Sequence, residues 1–318
     1  MRTLKAKNKS SDEVIFHDSR QLPRYAGCCT FFRLPYVRKP CKTNWVLFGV
    51  PFDAGTTYRP GARFGPRSIR QESQYIKPYH MVYKENWLER QKLVDGGDCQ
   101  VSGFSLEGNL RNVEAFGLAW RKCGAKTFAV GGDHSIALGN IRATARLLAR
   151  PIALIHFDAH TDCVDVLAGE AFTHASPIRR AVEEGIVDPM RTLQIGIRGP
   201  VNGAEDFTFA DDNGITIVSY DKWRSESDKV VERFRRTLKG VPLYLSFDID
   251  CIDPAFAPGT GTPSIGGFTS AEVIDAVRRF RGVNLVGADM VEVCPAYDNP
   301  SQITSLLAAH IIYEIISL

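Results

Sequence analysis

The chain has 318 residues, of which 44% are hydrophobic and 24% charged, and its formal net charge is +3. That length can bury a large core in one α/β domain, and the dispersed basic residues argue against a nucleic-acid partner. The sequence shows no signal-peptide core and no apolar run long enough to span a bilayer, so we expect a cytoplasmic protein with no membrane partner. Its eight cysteines show no paired framework, which predicts reduced thiols.

Residues 1–43 contain Pro23, Pro35 and Pro40 and show little periodicity. We interpret them as an N-terminal arm that lies on the surface or on a neighbouring subunit, followed by a single domain at residues 44–318. A tight loop after the first strand carries Arg59, Arg63 and Arg67. It lacks the spacing of a phosphate-binding loop, so a structural role is favoured.

The rest of the chain alternates between strand-like and helix-like segments. Predicted strands cover residues 45–50, 91–95, 127–130, 151–157, 192–197, 215–219, 242–247 and 284–288. Helical stretches include residues 141–148, 227–238 and 270–279, and residues 303–318 predict a closing amphipathic helix. This alternation indicates an α/β fold with an eight-stranded parallel sheet covered by helices on both faces.

Three polar motifs follow predicted strands: GGDHS at 131–135, DAHTD at 158–162 and DID at 248–250. In an open parallel sheet, ligands bind beyond the carboxyl ends of the strands, so the three motifs are expected to converge. Extended backbone places the side chains of Asp158, His160 and Asp162 on one face. Two carboxylates around an imidazole are costly there unless they hold something positive, which makes a metal the natural candidate.

The three motifs together offer an oxygen-rich ligand set with two imidazoles, which suits Mn²⁺. The candidate ligands are His134, Asp158, His160, Asp162, Asp248 and Asp250. Four carboxylates balance two dications, and paired ions lower the pKa of a shared water, which indicates hydrolysis. We interpret His156 as a core histidine and Asp133 as a turn or supporting residue.

The motifs resemble those of the ureohydrolases, the family of arginase, agmatinase and the guanidino-acid hydrolases. GGDHS, DAHTD and SFDIDCIDPAFAPGTGTP at 246–263 carry the resemblance. RYAGCCTFFRLP at 24–35, YRPGARFGP at 58–66 and RRAVEEG at 179–185 look most like the guanidinobutyrase, guanidinopropionase and proclavaminate amidinohydrolase branch. The resemblance implies a three-layer αβα arginase-like fold, one ureohydrolase catalytic domain at 44–318, and a homotrimer or homohexamer, with a hetero-oligomer as the alternative.

The resemblance also implies roles for individual residues. Two Mn²⁺ ions per chain, with Ni²⁺ as an alternative, would be held by His134, Asp158, Asp162 and Asp248, and by Asp158, His160, Asp248 and Asp250. His174 matches a proton-shuttling histidine, Glu292 matches the glutamate that holds the guanidinium, and Thr260 and Thr262 line that pocket. Asp162 is counted with His174 and Glu292 among the catalytic candidates.

The substrate tail is the open part of the prediction. Arg198, Asn202 or an arginine of the 59–67 loop would suit a carboxylate, whereas Asp165 and Glu170 would suit a cation. In the 174–176 segment the chain has His-Ala-Ser where this branch usually has His-Gly-Thr, which reshapes the pocket.

We expect hydrolysis of a small linear guanidino acid, such as 3-guanidinopropionate or 4-guanidinobutyrate, to urea and an amine by a metal-bridging hydroxide. The alternatives are an agmatinase, a hydrolase of dimethylbiguanide that releases guanylurea and dimethylamine, and a catalytically silent subunit of a hetero-oligomer. A deacetylase is disfavoured, because His160 and Asp250 complete a second metal site.

Overall fold

The computed structural model describes residues 18–318, and a single parallel sheet forms the centre of this part of the chain. Its strands are β1 (Trp45–Gly49), β4 (Leu93–Asp98), β5 (Lys126–Val130), β6 (Ile152–Phe157), β7 (Val187–Ile197), β8 (Thr216–Ser219), β9 (Leu243–Asp248) and β10 (Leu285–Val291). They lie in the order β4-β1-β5-β10-β9-β6-β7-β8, and every pairing is parallel. A separate antiparallel pair is formed by β2 (Tyr79–His80) and β3 (Glu85–Asn86). The predicted eight-stranded parallel sheet is confirmed.

Helices cover both faces of the sheet. One layer contains α1 (Gly65–Ser73), α7 (Tyr220–Leu238), α8 (Ser270–Arg278) and α9 (Ile303–Ile316), and the other contains α3 (Leu106–Arg121), α4 (Ile136–Arg146), α5 (Pro177–Glu183) and α6 (Thr208–Asn213). The short α2 (Trp87–Arg90) follows β3. Within β6, Ile155 and Phe157 pack into the first layer and Leu154 into the second, as alternation along a strand requires. The three-layer αβα architecture is therefore confirmed.

Two helices begin earlier than the sequence predicted. α4 starts at Ile136, directly after the GGDHS motif, and α7 starts at Tyr220. For α7 the reason is a cap, because the Ser219 side chain accepts the backbone N–H of Lys222.

The closing helix α9 differs from its prediction as an amphipathic helix. Eleven of its residues are buried, including Glu314. The Glu314 carboxylate accepts hydrogen bonds from Arg278 at 2.5 and 2.9 Å and lies 3.0 Å from His80 Nε2. The prediction failed because the polar position faces a buried ion-pair partner and not solvent. Among residues 18–318, no helix combines the length and apolar composition that crossing a membrane requires.

Part of the predicted N-terminal arm lies in the main core. Phe31, Phe32 and Leu34 are almost completely buried, and the Phe31 N–H donates to Asp95 Oδ2 at 2.9 Å. Residues 1–17 of the predicted arm lie outside the described residues. The division of the chain at residue 43 remains a prediction.

Candidate metal centre

The candidate site lies at the carboxyl ends of four adjacent strands: β5, β10, β9 and β6. β5 leads into the loop that carries His134, β10 into Glu292 and β6 into Asp158, while β9 ends on Asp248. Because the strands are parallel neighbours, all four ends open onto one edge of the sheet. The structure therefore brings the three predicted motifs together.

The first ligand set surrounds the His134 imidazole. His134 Nδ1 lies 2.8 Å from Asp162 Oδ2, 3.2 Å from Asp158 Oδ2 and 3.3 Å from Asp248 Oδ2. All four side chains are buried. This grouping matches the set predicted for the first metal.

The second set surrounds His160, whose side chain is 43% exposed and lies at the solvent side of the first set. His160 Nδ1 is 3.4 Å from Asp158 Oδ1 and 3.1 Å from Asp250 Oδ2. Asp158 thus contacts both imidazoles, one through each of its oxygens, and belongs to both sets. Asp248 belongs to the first set by distance, and its Oδ1 accepts the Asp250 N–H at 2.8 Å.

The electrostatics of the cluster favour positive charge beside the carboxylates. Burial, reinforced by Asp250 and Asp158, raises the pKa of Asp248 well above its usual range. Burial opposes protonation of His160, yet Asp250 and Asp158 raise its pKa to about 12. The carboxylates therefore retain protons or draw them onto the histidines in place of a cation.

Unpaired atoms give an independent test of whether the residues fit a metal. His134 Nδ1 and Asp158 Oδ2 are buried, and within residues 18–318 neither makes a hydrogen bond of acceptable geometry. Buried polar atoms without a partner are rare and call for an explanation. A cation between an imidazole nitrogen and carboxylate oxygens would satisfy both atoms, so the donor set fits a divalent metal.

His134 is held in the orientation that a ligand needs. Ser246 Oγ donates to Asp289 Oδ1 at 2.7 Å, so it accepts from His134 Nε2 at 2.8 Å. The Tyr244 hydroxyl donates to Asp289 Oδ2 at 2.8 Å. With its proton on Nε2, His134 presents Nδ1 to the carboxylates. These supporting residues were not predicted, although Ser246 lies two positions before Asp248 and hence on the same face of β9.

His174 lies between Glu292 and Thr57 beside the cluster. His174 Nδ1 is 2.9 Å from Glu292 Oε1, and its Nε2 is 2.8 Å from Thr57 Oγ1. Burial lowers the pKa of His174, but Glu292 and nearby aspartates raise it to about 9 overall. Thr57 was not predicted as a site residue.

Glu292 is fully buried in a left-handed backbone conformation, with φ 63°. Its Oε1 also accepts the His134 backbone N–H at 2.9 Å, and its Oε2 has no hydrogen-bond partner within the described part of the chain. Thr260 Oγ1 is likewise buried without such a partner, whereas Thr262 Oγ1 donates to Asp250 Oδ2 at 3.3 Å. Strained backbone and unpaired oxygens of this kind are typical of a binding site.

A cavity of about 460 Å³ opens above the ligands. Its floor includes His160, Asp162, Asp248 and Asp250, and His174, Ala175 and Thr262 also line it. The outer wall is mostly apolar and is formed by Val164, Ile197, Pro200, Val201 and Phe207, together with Asp206.

Of the residues predicted to bind the substrate tail, Arg198 and Asn202 line the cavity and the others do not. Arg198 lines the cavity, but its guanidinium donates to five backbone carbonyls, those of Gly196, Asp250, Cys251, Ile252 and Ser264. Asn202 also lines it and contacts Asp206 Oδ2 through its backbone N–H at 2.9 Å.

The remaining charged candidates do not line the cavity. Asp165 pairs with Arg179 at 3.1 Å and with Arg180 at 2.5 Å, and Glu170 lies at the surface. In the 59–67 loop, Arg63 pairs with Asp53, and Arg59 lies over the rings of Tyr58 and Tyr297. Asp206 is an acidic residue outside the candidate ligands that does line the cavity, and it was not predicted because only the fold brings it there.

Comparison with known proteins agrees with this geometry. A model described as the arginase family matches residues 43–317. The chain belongs to the arginase family. It is 42% identical to a guanidinopropionase from Pseudomonas aeruginosa, with 97% of each chain covered, and 39% identical to a guanidinobutyrase from the same organism, with 93% of each covered. The solved structure of proclavaminate amidino hydrolase from Streptomyces clavuligerus superimposes with a TM-score of 0.88 at 36% identity, covering 93% of this chain and 98% of that one.

Membership confirms the resemblance found in the motifs. This arginase-family protein is a ureohydrolase. The family depends on a pair of metal ions, and the His/Asp cluster provides two adjoining groups of side chains that could hold them.

Proposed function

We propose that this enzyme hydrolyses a small linear guanidino acid, with 3-guanidinopropionate and 4-guanidinobutyrate as first candidates, to urea and the corresponding amine. The observation that carries the proposal is the pair of ligand sets that share Asp158 beneath one cavity. The similarity to a guanidinopropionase and a guanidinobutyrase supports the choice of substrate.

The metal assignment follows the two sets. His134, Asp158, Asp162 and Asp248 would hold one Mn²⁺, and Asp158, His160, Asp248 and Asp250 would hold the other; Ni²⁺ is the alternative. Two bound ions would supply a water of lowered pKa at neutral pH. The protein fixes the carboxylates so that this chemistry needs little reorganisation.

The residues around the cluster would bind the guanidinium and protonate the leaving amine. A guanidinium is a delocalised cation that resists attack at carbon, so it must be held in one orientation. Glu292 Oε2 and Thr260 Oγ1, which are buried and lack hydrogen-bond partners within residues 18–318, are suited to accept its N–H groups, with Thr262 beside them. His174, held by Glu292, would give a proton to the departing amine.

A second candidate is a substrate with a cationic or uncharged tail, such as agmatine or dimethylbiguanide. It is favoured by Asp206 on the outer wall and by Arg198, whose guanidinium is already bonded to backbone carbonyls. A carboxylate tail would then rely on Asn202, because the arginines of the 59–67 loop do not line the cavity.

A product-resolved substrate panel tests the proposal. Mn- and Ni-loaded enzyme would be given 3-guanidinopropionate, 4-guanidinobutyrate, agmatine, arginine, guanidine and dimethylbiguanide, and urea or guanylurea would be measured. A guanidino acid should have the highest kcat/KM. The ranking would be reversed if kcat/KM for agmatine or the biguanide were more than about tenfold higher. A tenfold difference corresponds to about 1.4 kcal/mol in transition-state binding.

The variant Asp206→Asn sharpens the panel. It should change the ratio of cationic to anionic substrates and leave metal content unchanged. Asp165→Asn is the matched control, because Asp165 pairs with Arg179 and Arg180 away from the cavity. If every guanidino compound stays intact with metals bound, the chain is a silent subunit of a hetero-oligomer.

We further propose a homotrimer or homohexamer in the cytoplasm. The eight cysteines are all unpaired, which suits a reducing compartment. Light scattering after size exclusion would measure the number of subunits.

A further inference from the structure

A row of polar side chains crosses the sheet directly below the metal centre. In the strand register Gln194 of β7 faces His156 of β6, His156 faces Ser246 of β9, and Ser246 faces Asp289 of β10. All four residues are fully buried. Burying such groups in the middle of a sheet costs free energy unless each is bonded, so the bonds of the row indicate what it supports.

His156 connects this row to the cluster. Its Nε2 lies 2.8 Å from Asp158 Oδ2, the same oxygen that lies 3.2 Å from His134 Nδ1. On the other side of the ring, His156 Nδ1 lies 3.1 Å from Gln194 Nε2. Gln194 Nε2 also donates to the backbone carbonyl of Thr161 at 2.6 Å.

These contacts determine which nitrogen of His156 carries the proton. The Thr161 carbonyl can only accept, so the amide nitrogen of Gln194, and not its oxygen, must face it. That nitrogen has two hydrogens, and the second points to His156 Nδ1, which must therefore accept. The ring then carries a hydrogen on Nε2, which lies 2.8 Å from Asp158 Oδ2 without the alignment of a hydrogen bond.

We propose that His156 is a positioning residue for the metal centre: in the tautomer that Gln194 imposes, its Nε2–H lies against the shared carboxylate of Asp158, 2.8 Å from Oδ2, and restricts the movement of that carboxylate. The inference rests on the proposed metal function. With its hydrogen on Nε2, His156 is not itself a ligand, although it lies within 4.8 Å of ligand atoms of His134, Asp158 and Asp162. The interpretation of His156 as a core histidine agrees with its burial, and the proposal adds a role to it.

Metal affinity, measured by competition with a fluorescent chelator, tests this role directly. His156→Phe removes the donor and should weaken Mn²⁺ and Co²⁺ binding by about 10- to 100-fold, while two metals still bind at saturation. His156→Gln places an amide nitrogen near the former Nε2 and should restore most of the affinity. Gln194→Leu releases the tautomer and should weaken binding in the same direction.

Thr192→Val is the matched control. Thr192 is fully buried on the same strand as Gln194, and its hydroxyl donates to the Asp188 carbonyl, away from the site. Its metal affinity should equal that of the wild type. The melting temperature of each metal-free variant reports folding separately, and Gln194→Leu keeps the inference testable if His156→Phe does not fold.

The visible spectrum of the Co²⁺-loaded protein separates a supporting residue from a ligand. The spectrum at saturation should keep its coordination signature in His156→Gln. Unchanged affinity in both His156→Phe and Gln194→Leu would overturn the proposal. So would loss of one metal at saturation in His156→Phe and His156→Gln alike, which would make His156 a ligand. A wild-type protein that binds no metal would instead remove the proposed function together with this inference.

Discussion

His174 is the residue whose surroundings most directly predict a kinetic effect. Its ring is held by Glu292 on one side and Thr57 on the other. His174→Asn should lower kcat by about 10²-fold, because the departing amine loses its proton donor. Metal content, measured by elemental analysis, should stay at the wild-type level.

The pH profile gives a second measure of the same residue. The pKa of His174 is raised to about 9, so the ring is protonated below that pH and loses its proton above it. A proton donor is therefore present in neutral solution, and kcat should fall as pH rises through about 9. His174→Asn should lack this alkaline limb. A variant with wild-type turnover and an unchanged profile would remove His174 from the mechanism.

Single residues differ in how far the sequence could predict them. The convergence of the six metal candidates was predictable because they stand in compact motifs at the ends of parallel strands. The supporting residues His156, Ser246 and Asp289 were not, because their contacts depend on the register of three different strands. Register between distant strands is decided by the packing of the whole sheet and not by local spacing.

At the scale of elements, the loops after β1 and β5 pack without spare room. The Gly132 N–H donates to the Val50 carbonyl at 3.0 Å, and the Gly132 carbonyl accepts from Glu292 at 2.9 Å. A Cβ at this position would lie 1.9 Å from the Phe52 carbonyl oxygen. Only glycine allows the two backbones to approach so closely beside His134.

We therefore expect Gly132→Ala to destabilise the protein by about 2–4 kcal/mol in chemical denaturation and to weaken metal binding, because the loop that carries His134 must move. Gly103→Ala is the control, since no heavy atom lies within 4 Å of a Cβ there. Equal free energies of unfolding for the two variants would contradict the tight packing.

Elements were predictable where periodicity was strong and less so where tertiary contacts decide. All eight strands of the sheet were found, since buried parallel strands are short apolar runs. The start of β7 at Val187 was missed because Asp188, Pro189 and Arg191 interrupt the apolar pattern. The burial of α9 was missed because the partners of Glu314 lie in α8 and β2.

At the scale of the whole molecule, the alternation of strands and helices predicted the three layers, but it did not predict which residues line the cavity. Its lining includes residues 164, 197–198, 200–202 and 206–207 from three parts of the chain, and only the assembled fold places Asp206 there. A sequence therefore predicts the reaction class from its motifs better than it predicts the substrate tail, which contacts loops whose positions are set by the packing of the entire domain.

Metal removal is the prediction that involves the whole molecule. Four carboxylates lie together at the site, and without cations their charge is poorly compensated. Ions that bind only the folded state stabilise it by about 2.7 kcal/mol for each site at 100 times Kd, so stripping two sites should lower the melting temperature by about 10 °C. Differential scanning calorimetry with and without a chelator measures the shift.

The shift should grow with pH, and its sign follows from the carboxylates. In the metal-free protein the pKa of Asp248 is raised by burial and by neighbouring carboxylates, so this group stabilises the fold at low pH, when protonated, and that contribution is lost as pH rises through its folded pKa. Protons thus compensate the carboxylate charge most completely in acid and less so as pH rises. Asp158→Ala should abolish the chelator effect at every pH, because Asp158 belongs to both ligand sets. Asp165→Ala, which alters a surface pair, should keep it, and a full metal-dependent shift in Asp158→Ala would contradict the shared ligand.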